Sequence, residues 1–433
     1  MYRFIGIIFL LLSFFSSSAQ DVDTLRIMHY NLLNYRNTTN QCTESTNNAS
    51  DKEGYLSAIT SHVKPDVITV NEMGAHWLNP NKLLTNALNT NGVSYFDQAE
   101  FSNNSFSSLT NMLFYNTEKL SKYGQEVISK DKNGDELVRV IDVYHLYYND
   151  AYGLSKGDTT FLTFIVTHLK AGSGTDDKLQ RAMMTESIMS YLATNKSNHS
   201  YFLCGDFNTQ TASETSYKNL IEAQDENIRF IDPNDAAGSW NNNSNYSNLH
   251  TQSTHVSDTR GGCFSGGGMD DRFDFILCGK EVINQSYRVG YIEGSYFALG
   301  QDSRRFNGDM RSPSNSLIPT SISEALYEMS DHLPVIIDVE VAKKTSGVQR
   351  LASDGRLMVK YNSESEVEFE FKPVEVDEWQ VVNYKGELVH RESQMGLSSN
   401  LKILTSNMAA GVYITFIRTN QGQLLINKFI VQK

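Results

Sequence analysis

Six short segments of the chain place acids, amides or imidazoles directly after or beside apolar runs. They are Tyr30-Asn31, Asn71-Glu72, Thr167-His168, Gly205-Asp206-Phe207-Asn208, Asp271-Arg272-Phe273-Asp274 and Ser330-Asp331-His332. Strand-like stretches precede the first four segments, at residues 25–29, 67–70, 161–166 and 201–204. Because buried strands of one sheet deliver their ends to a common edge, we expect these side chains to form one divided site at that rim.

Metal-assisted cleavage of a phosphodiester is the chemistry that this set of side chains suits. It needs a divalent cation, an activated water and a group that stabilises the leaving oxygen. Hard cations prefer carboxylate oxygens, and Glu72 after its apolar run is the best candidate ligand. Asp206 and Asn208 lie two residues apart, so at a strand end both point the same way, one to orient or deprotonate water and one to donate to phosphate. Taken alone, Glu72 could equally be a solvated loop acid or a helix cap, and an Asp-x-Asn turn is common.

Two histidines complete the candidate chemistry. His332 beside Asp331 can act as a general base or phosphate donor, especially if a second carboxylate fixes its tautomer. Asp274 could be that second carboxylate, because an acid inside an apolar strand needs a partner. His168 ends the run 161–166 and could be the second imidazole, although a lone histidine is more often structural.

Bulk properties set the class of protein. At 433 residues the chain is long enough for two globular units, and an apolar fraction of 40% is ample for a packed core. The formal net charge of -13 argues against a large cationic nucleic-acid grip. It does not exclude nucleic acid, since local Lys and Arg residues with divalent cations can neutralise phosphates.

The first residues predict an export signal over 1–19. Arg3 is followed by an apolar core from Ile5 to Phe15 and by the small residues that precede cleavage after Ala19. A retained membrane anchor is the alternative, but the apolar core is shorter than a span requires. We expect a soluble protein outside the cytoplasm, without stable membrane insertion.

Four cysteines therefore meet an oxidising compartment. Cys42 and Cys263 lie in polar, loop-like stretches and are the favoured disulfide pair. Cys204 and Cys278 lie in apolar runs, which predicts buried small hydrophobes.

Residues 20–343 predict one layered α/β domain, with helices at 51–63, 82–88 and 176–193 between strands. The segment 236–268 is rich in Asn, Ser and Gly, so we expect a long surface excursion; a substrate-contacting lid or phosphate-cradling glycines are weaker interpretations. A linker at 344–356 precedes a small all-β sandwich at 357–433. There, turns are predicted at 383–386 and 420–422.

The six segments, in this order over about Leu25 to Val341, resemble the endonuclease/exonuclease/phosphatase superfamily. The resemblance implies a four-layer α/β sandwich with two central mixed sheets and a Mg²⁺-dependent site, with Mn²⁺ or Ca²⁺ as alternatives. It also implies roles for the matching residues. Metal ligation falls to Glu72, Asn31 and Asp331; catalysis to His168, Asp206, Asn208, Asp274 and His332; phosphate binding to Asn208, His168 and Asn111. Asn111 occupies about the place where an acid would pair with His168, which leaves the acid or base role of His168 open.

The second unit resembles the C-terminal sorting domain of proteins exported by the type IX secretion system. Val382 to Val389, Ala410 to Ile414 and Asn427 to Val431 carry the likeness, while Tyr361-Asn362-Ser363 replaces the usual Pro-Asn-Pro opening. This implies the type IX machinery as a partner and a secreted or cell-surface location. A carbohydrate- or surface-binding sandwich is the alternative.

The sequence as a whole favours a secreted, divalent-metal-dependent nuclease that hydrolyses DNA, with RNA as a further substrate. A phospholipid phosphodiesterase or a sugar or inositol phosphatase on the same scaffold is the alternative enzyme class. Against the lipid substrate, Trp77 and Trp240 are isolated and no apolar hairpin is evident. A non-enzymatic binding module would require a degenerate site, and every motif is intact.

Overall fold

The computed structural model describes residues 22–104, 107–155, 159–195, 200–343, 357–363, 365–383, 387–420 and 424–431. The chain divides into two compact units, Met1–Lys344 and Thr345–Lys433. The predicted export signal and linker lie outside the described residues, as do residues 384–386 and 421–422 of the two predicted turns. No helix in the described ranges is long and apolar enough to cross a membrane.

Thirteen strands and seven α-helices are described in the first unit. The strands are β1 (Val22–Tyr35), β2 (Val67–Gly74), β3 (Phe96–Gln98), β4 (Leu109–Asn116), β5 (Leu120–Lys130), β6 (Glu136–Tyr148), β7 (Phe161–His168), β8 (Tyr201–Asp206), β9 (Phe230–Ile231), β10 (Asp274–Gly279), β11 (Val289–Tyr291), β12 (Phe297–Ala298) and β13 (Val335–Ala342). The α-helices are α1 (Ala49–Val63), α2 (Asn79–Leu83), α3 (Ala151–Ser155), α4 (Thr175–Thr194), α5 (Thr215–Ile221), α6 (Lys280–Ile283) and α7 (Thr320–Met329).

Two mixed sheets form the centre of this unit. The first has the order β11-β13-β1-β2-β4-β3, with β12 paired to β13, and its β1 and β2 run parallel. The second has the order β5-β6-β7-β8-β10-β9, and its β7 and β8 run parallel. The predicted fold class is confirmed.

Side-chain alternation along β7 shows how the layers are held. Phe164 and Val166 belong to the apolar core that also contains residues of the first sheet, whereas Ile165 packs in the core that contains α4. Both faces of the strand are thus buried, which explains its nearly continuous apolar run. Helices α1 and α7 contribute Leu56 and Leu326 to the core of the first sheet.

The predicted helices are present with small shifts at their ends. Helix α1 begins after Asn48, whose side chain accepts hydrogen bonds from the backbone N–H groups of Ser50 and Asp51, and Lys64 ends it in a left-handed conformation. The predicted helix 82–88 is α2 followed by one π-helical turn, Leu84–Leu88. The long predicted helix 176–193 is α4.

The expectation of a surface excursion over 236–268 is wrong for much of that segment. Trp240, His250, Thr251 and Phe264 are fully buried. Polar residues can enter the interior here because they find hydrogen-bond partners within it: Thr251 Oγ1 accepts from the backbone N–H groups of Phe273 and Asp274, both at 3.1 Å, and the His250 carbonyl accepts from Gln301 Nε2 at 2.9 Å.

The disulfide prediction is confirmed. Cys42 and Cys263 are bonded, and the bridge lies against the buried ring of Phe264. Cys204 and Cys278 are buried and free, as their apolar surroundings predict.

The second unit is all-β, as expected. Its strands are β14 (Met358–Ser363), β15 (Glu366–Asn383), β16 (Leu388–Leu404), β17 (Gly411–Thr419) and β18 (Leu424–Val431). All described pairings are antiparallel, and β15 changes neighbour along its length, from β14 to β17, while β16 stays on its other edge. Phe369, Trp379 and Phe429 form the centre of its core.

Candidate active site

The register of the sheets brings five of the six sequence segments together. In the first sheet Asn31 on β1 is paired with Asn71 on β2, one residue before Glu72. In the second sheet Asp206 at the end of β8 is paired on one side with His168 and on the other with Asp274. Each functional residue therefore sits at the same end of its sheet as its neighbours.

Asn71 joins the two sheets at this end. Its Oδ1 accepts a hydrogen bond from the backbone N–H of Asp206 at 2.9 Å, and its Nδ2 donates to Asn111 Oδ1 at 2.8 Å. Because Asn71 and Asp206 belong to different sheets, this buried amide fixes how the two halves of the site meet.

Glu72, His168 and Asp206 form a compact group. One ligand atom from each lies within 4.8 Å of the other two. His168 Nε2 is 3.5 Å from Asp206 Oδ2 and 3.9 Å from Glu72 Oε1. Glu72 has a left-handed backbone with φ of 58°, which is uncommon outside glycine and typical of functional positions.

Asn31 holds the two acids of this group together. Its Nδ2 donates to Asp206 Oδ2 at 3.0 Å and to Glu72 Oε1 at 3.2 Å. Its Oδ1 accepts from the Leu33 N–H at 2.9 Å, which fixes the orientation of the amide. Ligation of a metal through Oδ1 would require this amide to turn, so that role of Asn31 stays a prediction.

His332 and Asp274 form a buried pair. The ring Nδ1 lies 2.7 Å from Asp274 Oδ2, and since a carboxylate only accepts, Nδ1 carries a proton. The opposite nitrogen, Nε2, is 3.8 Å from Asp206 Oδ2. Burial lowers the pKa of His332, but the carboxylates of Asp274 and Asp206 outweigh it and hold that pKa well above its usual range.

Asp206 is buried among these charged groups. Burial raises the pKa of its carboxyl to about 7, with repulsion from Asp274 and Glu72 in the same direction and His332 opposing. Its Oδ1 accepts from the backbone N–H of Asn208 at 3.0 Å. Only Oδ2 therefore faces Asn31 and the histidines.

Among the described residues, no acid contacts the second ring nitrogen of His168, Nδ1. Within the described ranges its buried Nδ1 has no hydrogen-bond partner. Burial, together with Arg139 and His332, lowers the pKa of His168 well below its usual range, so the ring is neutral. Arg139 Nη1 donates to the carbonyls of His168 and Leu169, at 3.4 and 2.8 Å, and so positions the end of β7.

Three predicted site residues lie beside this group rather than in it. Asn208 donates from Nδ2 to the Leu169 carbonyl at 3.3 Å. Asn111 donates from Nδ2 to Asp142 Oδ2 at 2.9 Å, so its amide nitrogen is engaged inside the fold. Asp331 has one buried oxygen, Oδ1, 3.9 Å from His332 Nε2. Phosphate contact by Asn111 and metal ligation by Asp331 stay predictions.

Gln252 is the functional candidate that the sequence did not reveal. Its Nε2 lies 2.8 Å from His332 Nε2 and 3.3 Å from Asp331 Oδ2. The Gln252 amide nitrogen donates to the Asp331 carboxylate and, when His332 Nε2 carries no proton, to that ring nitrogen as well. When the neighbouring carboxylates protonate the ring, the Gln252 amide must turn to present its oxygen to Nε2. It belongs to the segment predicted as a surface excursion, and no periodicity marks it.

Comparison with known families decides the class. The sequence profile of the Endonuclease/Exonuclease/phosphatase family matches residues 28–332. The chain belongs to this family. Its members are phosphoester hydrolases that generally depend on divalent metals.

Similar folds occur among solved structures. An endonuclease/exonuclease/phosphatase family protein from Bacteroides thetaiotaomicron is 14% identical, with a TM-score of 0.46, over 75% of this chain and 97% of that one. The human Nocturnin catalytic domain has 14% identity and a TM-score of 0.44, over 74% and 97%. A mannosyl-6-phosphatase from Bacteroides thetaiotaomicron has 14% identity and a TM-score of 0.44, over 73% and 99%. No functionally curated protein matches the chain in sequence.

The second unit also has a family match. Residues 356–432 match the profile of the Secretion system C-terminal sorting domain. This family member is therefore exported, to the cell surface or beyond it.

The site has the chemistry that a divalent cation needs. Two carboxylates and a neutral imidazole converge, and the raised pKa of Asp206 records how strongly burial disfavours its charge. A bound cation would offset that cost. Carboxylate oxygens suit Mg²⁺ or Mn²⁺, and the imidazole makes Mn²⁺ the easier of the two to ligate.

Proposed function

We propose that this family member is a secreted, divalent-metal-dependent phosphodiesterase that hydrolyses DNA, with RNA as a further substrate. One observation carries the proposal. The Nε2 of His332, held by Asp274, faces Asp206 at 3.8 Å, and Asp206 belongs to the group with Glu72 and His168. A candidate proton donor, a water-orienting carboxylate and a metal ligand thus lie close together, which is the combination that hydrolysis of a phosphodiester requires.

The residues divide the work as follows. Glu72 would hold the cation, with His168 and Asp206 in reach, and the cation would offset charge on the phosphate. Asp206 Oδ2 would orient the attacking water and accept its proton. Asp274 keeps His332 oriented, and His332 in its protonated form donates from Nε2 to a phosphate oxygen.

An exposed aromatic ring favours a nucleic-acid substrate. Trp77 is 66% exposed and follows β2, the strand that carries Glu72, by three residues. A ring in this position offers a stacking platform for an unpaired base. The acidic chain has no need of a broad basic surface if stacking and the cation supply the binding.

A substrate panel tests the proposal. The mature protein is incubated with plasmid DNA, RNA, sphingomyelin and inositol phosphates, each with Mg²⁺, Mn²⁺ or Ca²⁺ and again with EDTA. We expect DNA cleavage that EDTA stops. The nuclease proposal fails if both nucleic acids stay intact while sphingomyelin or an inositol phosphate is hydrolysed.

Export is proposed to depend on the second unit, residues 357–433, through the type IX machinery. Deletion of these residues should leave DNA hydrolysis intact and block release from the producing cell. If a truncated protein with native circular dichroism loses hydrolysis instead, the second unit is a substrate-binding module.

A further inference from the structure

A cleft of about 390 Å³ lies on the outer face of the second sheet. Strands β5, β6 and β7 form its floor, and Tyr191 near the end of α4 closes one side. Asn195 and Tyr201 complete its rim. Its size is sufficient for one ring-sized ligand.

The cleft is separate from the candidate active site. Thr163 lines it, and His168 lies five residues further along β7. Five residues of strand span about 17 Å. Thr163 is in phase with Ile165, which faces the α4 core, whereas His168 is in phase with Phe164 and Val166 on the opposite face.

Gly124 keeps the cleft open. It is paired with His145 across β5 and β6, and a Cβ added at Gly124 would lie 3.4 Å from His145 Cδ2. A longer side chain would therefore extend over the His145 ring and fill the cleft. The backbone of Gly124 is not left-handed, so such a side chain is tolerated sterically.

An aromatic wall borders the opening. Tyr123 is 47% exposed, and its ring centroid lies 5.0 Å from that of Phe161 and 6.4 Å from that of Tyr147. Phe161 is itself 40% exposed. The Tyr123 ring is inclined at 62° to that of Phe161 and at 44° to that of Tyr147, and these exposed rings together present an apolar surface that a ligand with an apolar face can contact.

A fixed carboxylate, Glu126, also lines the cleft. Glu126 Oε1 accepts from His145 Nε2 at 3.2 Å and from the Tyr191 hydroxyl at 3.0 Å. His145 Nδ1 lies 3.1 Å from Thr163 Oγ1, so the ring is held on both sides. No described residue donates to Glu126 Oε2, which leaves an acceptor at a half-exposed side chain.

We propose that this cleft binds a neutral sugar ring, the unit of a glycan. The C–H face of a pyranose packs on aromatic rings, and adjacent hydroxyls donate to a carboxylate such as Glu126. None of the described residues lining the cleft is Lys or Arg, so a phosphate or another anion has no counter-charge there. The site goes beyond phosphodiester cleavage: it would hold the exported enzyme on a glycan-bearing surface.

Ligand-observed NMR titration of the mature protein tests this. The probes are the methyl glycosides of glucose, galactose, mannose and N-acetylglucosamine, with glucuronic acid and adenosine as comparison ligands. At least one neutral glycoside should bind saturably, and more tightly than glucuronic acid, because Glu126 repels a second carboxylate. Binding of adenosine with no neutral glycoside bound would overturn the sugar assignment, as would no saturable binding of any probe.

Variants locate the binding. Tyr123→Ala should weaken glycoside binding about tenfold, the loss expected for one aromatic contact. Gly124→Leu should abolish it by filling the cleft. Tyr287→Ala removes a ring of matched exposure, 49%, outside the cleft and should leave affinity unchanged. Unchanged binding in both cleft variants would overturn the proposal, and DNA hydrolysis measured in each variant reports folding independently.

Discussion

Asp142 is a buried acid whose replacement should stabilise the protein at neutral pH. It lies on β6, is fully buried, and accepts hydrogen bonds from Ser102 and from Asn111 Nδ2. Burial raises the pKa of its carboxyl from 3.8 to about 7, because these two hydrogen bonds lower the pKa less than burial raises it. Its neutral form is therefore the one that the folded state prefers.

The magnitude follows from that pKa. A folded-state pKa above the unfolded one means that the folded protein binds the extra proton, so stability falls as pH rises from about 4 to about 7. The full difference, from 3.8 to about 7, corresponds to about 4 kcal/mol at pH 8. Asp142→Asn keeps the shape, accepts from Asn111 and can donate to Ser102, so it should recover most of this energy.

Asp232 is a second buried aspartate, but its pKa is shifted in the opposite direction from that of Asp142. Asp232 accepts from Arg272 Nη1 and Nη2, at 2.7 and 2.9 Å, and this pairing lowers its pKa although burial opposes it. Asp232→Asn would leave Arg272 buried without a counter-charge and should cost about 3–5 kcal/mol at pH 8.

Urea denaturation of both variants and the wild type, at steps from pH 4 to pH 8, measures these effects. The gain from Asp142→Asn should be absent near pH 4 and grow with pH, while Asp232→Asn is destabilising at pH 8. A flat difference between Asp142→Asn and the wild type across this range would refute the assignment of a neutral Asp142.

Three further changes have defined outcomes. Gln252→Ala should lower kcat for DNA about tenfold, because His332 loses the amide that positions Nε2. Cys42→Ser should cost up to about 5 kcal/mol of stability, since the bridge to Cys263 closes a loop of sequence separation 221. Trp77→Ala should raise KM for a single-stranded oligonucleotide about tenfold, with kcat unchanged, through loss of one stacked base.

Each of these has a control and a contrary result. Gln285→Ala removes an exposed loop glutamine whose Nε2 donates to the Tyr291 carbonyl and should leave kcat unaltered; equal losses in both variants would mean a general loop effect. The reduced wild type should have the same free energy of unfolding as Cys42→Ser. A difference between these two free energies would contradict the stabilising role of the bridge. Leu78→Ala should leave KM unchanged. A rise in KM equal to that of Trp77→Ala would contradict the stacking role of Trp77.

The site residues that lie at strand ends could be predicted from the sequence. Glu72, His168 and Asp206 each close an apolar run, and the sheet register then brings them together. Asp274 is predictable as a site residue because it is an acid inside an apolar strand and therefore needs a partner. Asp142 is likewise an acid inside an apolar strand, and the sequence alone does not distinguish its hydrogen bonds to Ser102 and Asn111 from those of a residue in the site.

The remaining features depend on contacts far apart in sequence. Gln252 lies in a polar segment whose burial rests on hydrogen bonds to distant backbone groups, so composition predicts the wrong environment. The sugar cleft depends on Gly124 meeting His145 across two strands with a register shift nearby. Neither hydropathy nor spacing encodes such a pairing.

The central claim is that His332 and Asp206 carry phosphodiester hydrolysis, and the rate of DNA cleavage in their variants tests it most directly. With Mg²⁺ or Mn²⁺ at saturation, His332→Ala and Asp206→Asn should each lower kcat at least about 10²-fold. His62→Ala, at an exposed histidine in the last turn of α1, should leave kcat unchanged. Near-native rates in His332→Ala or Asp206→Asn would contradict the role assigned to that residue.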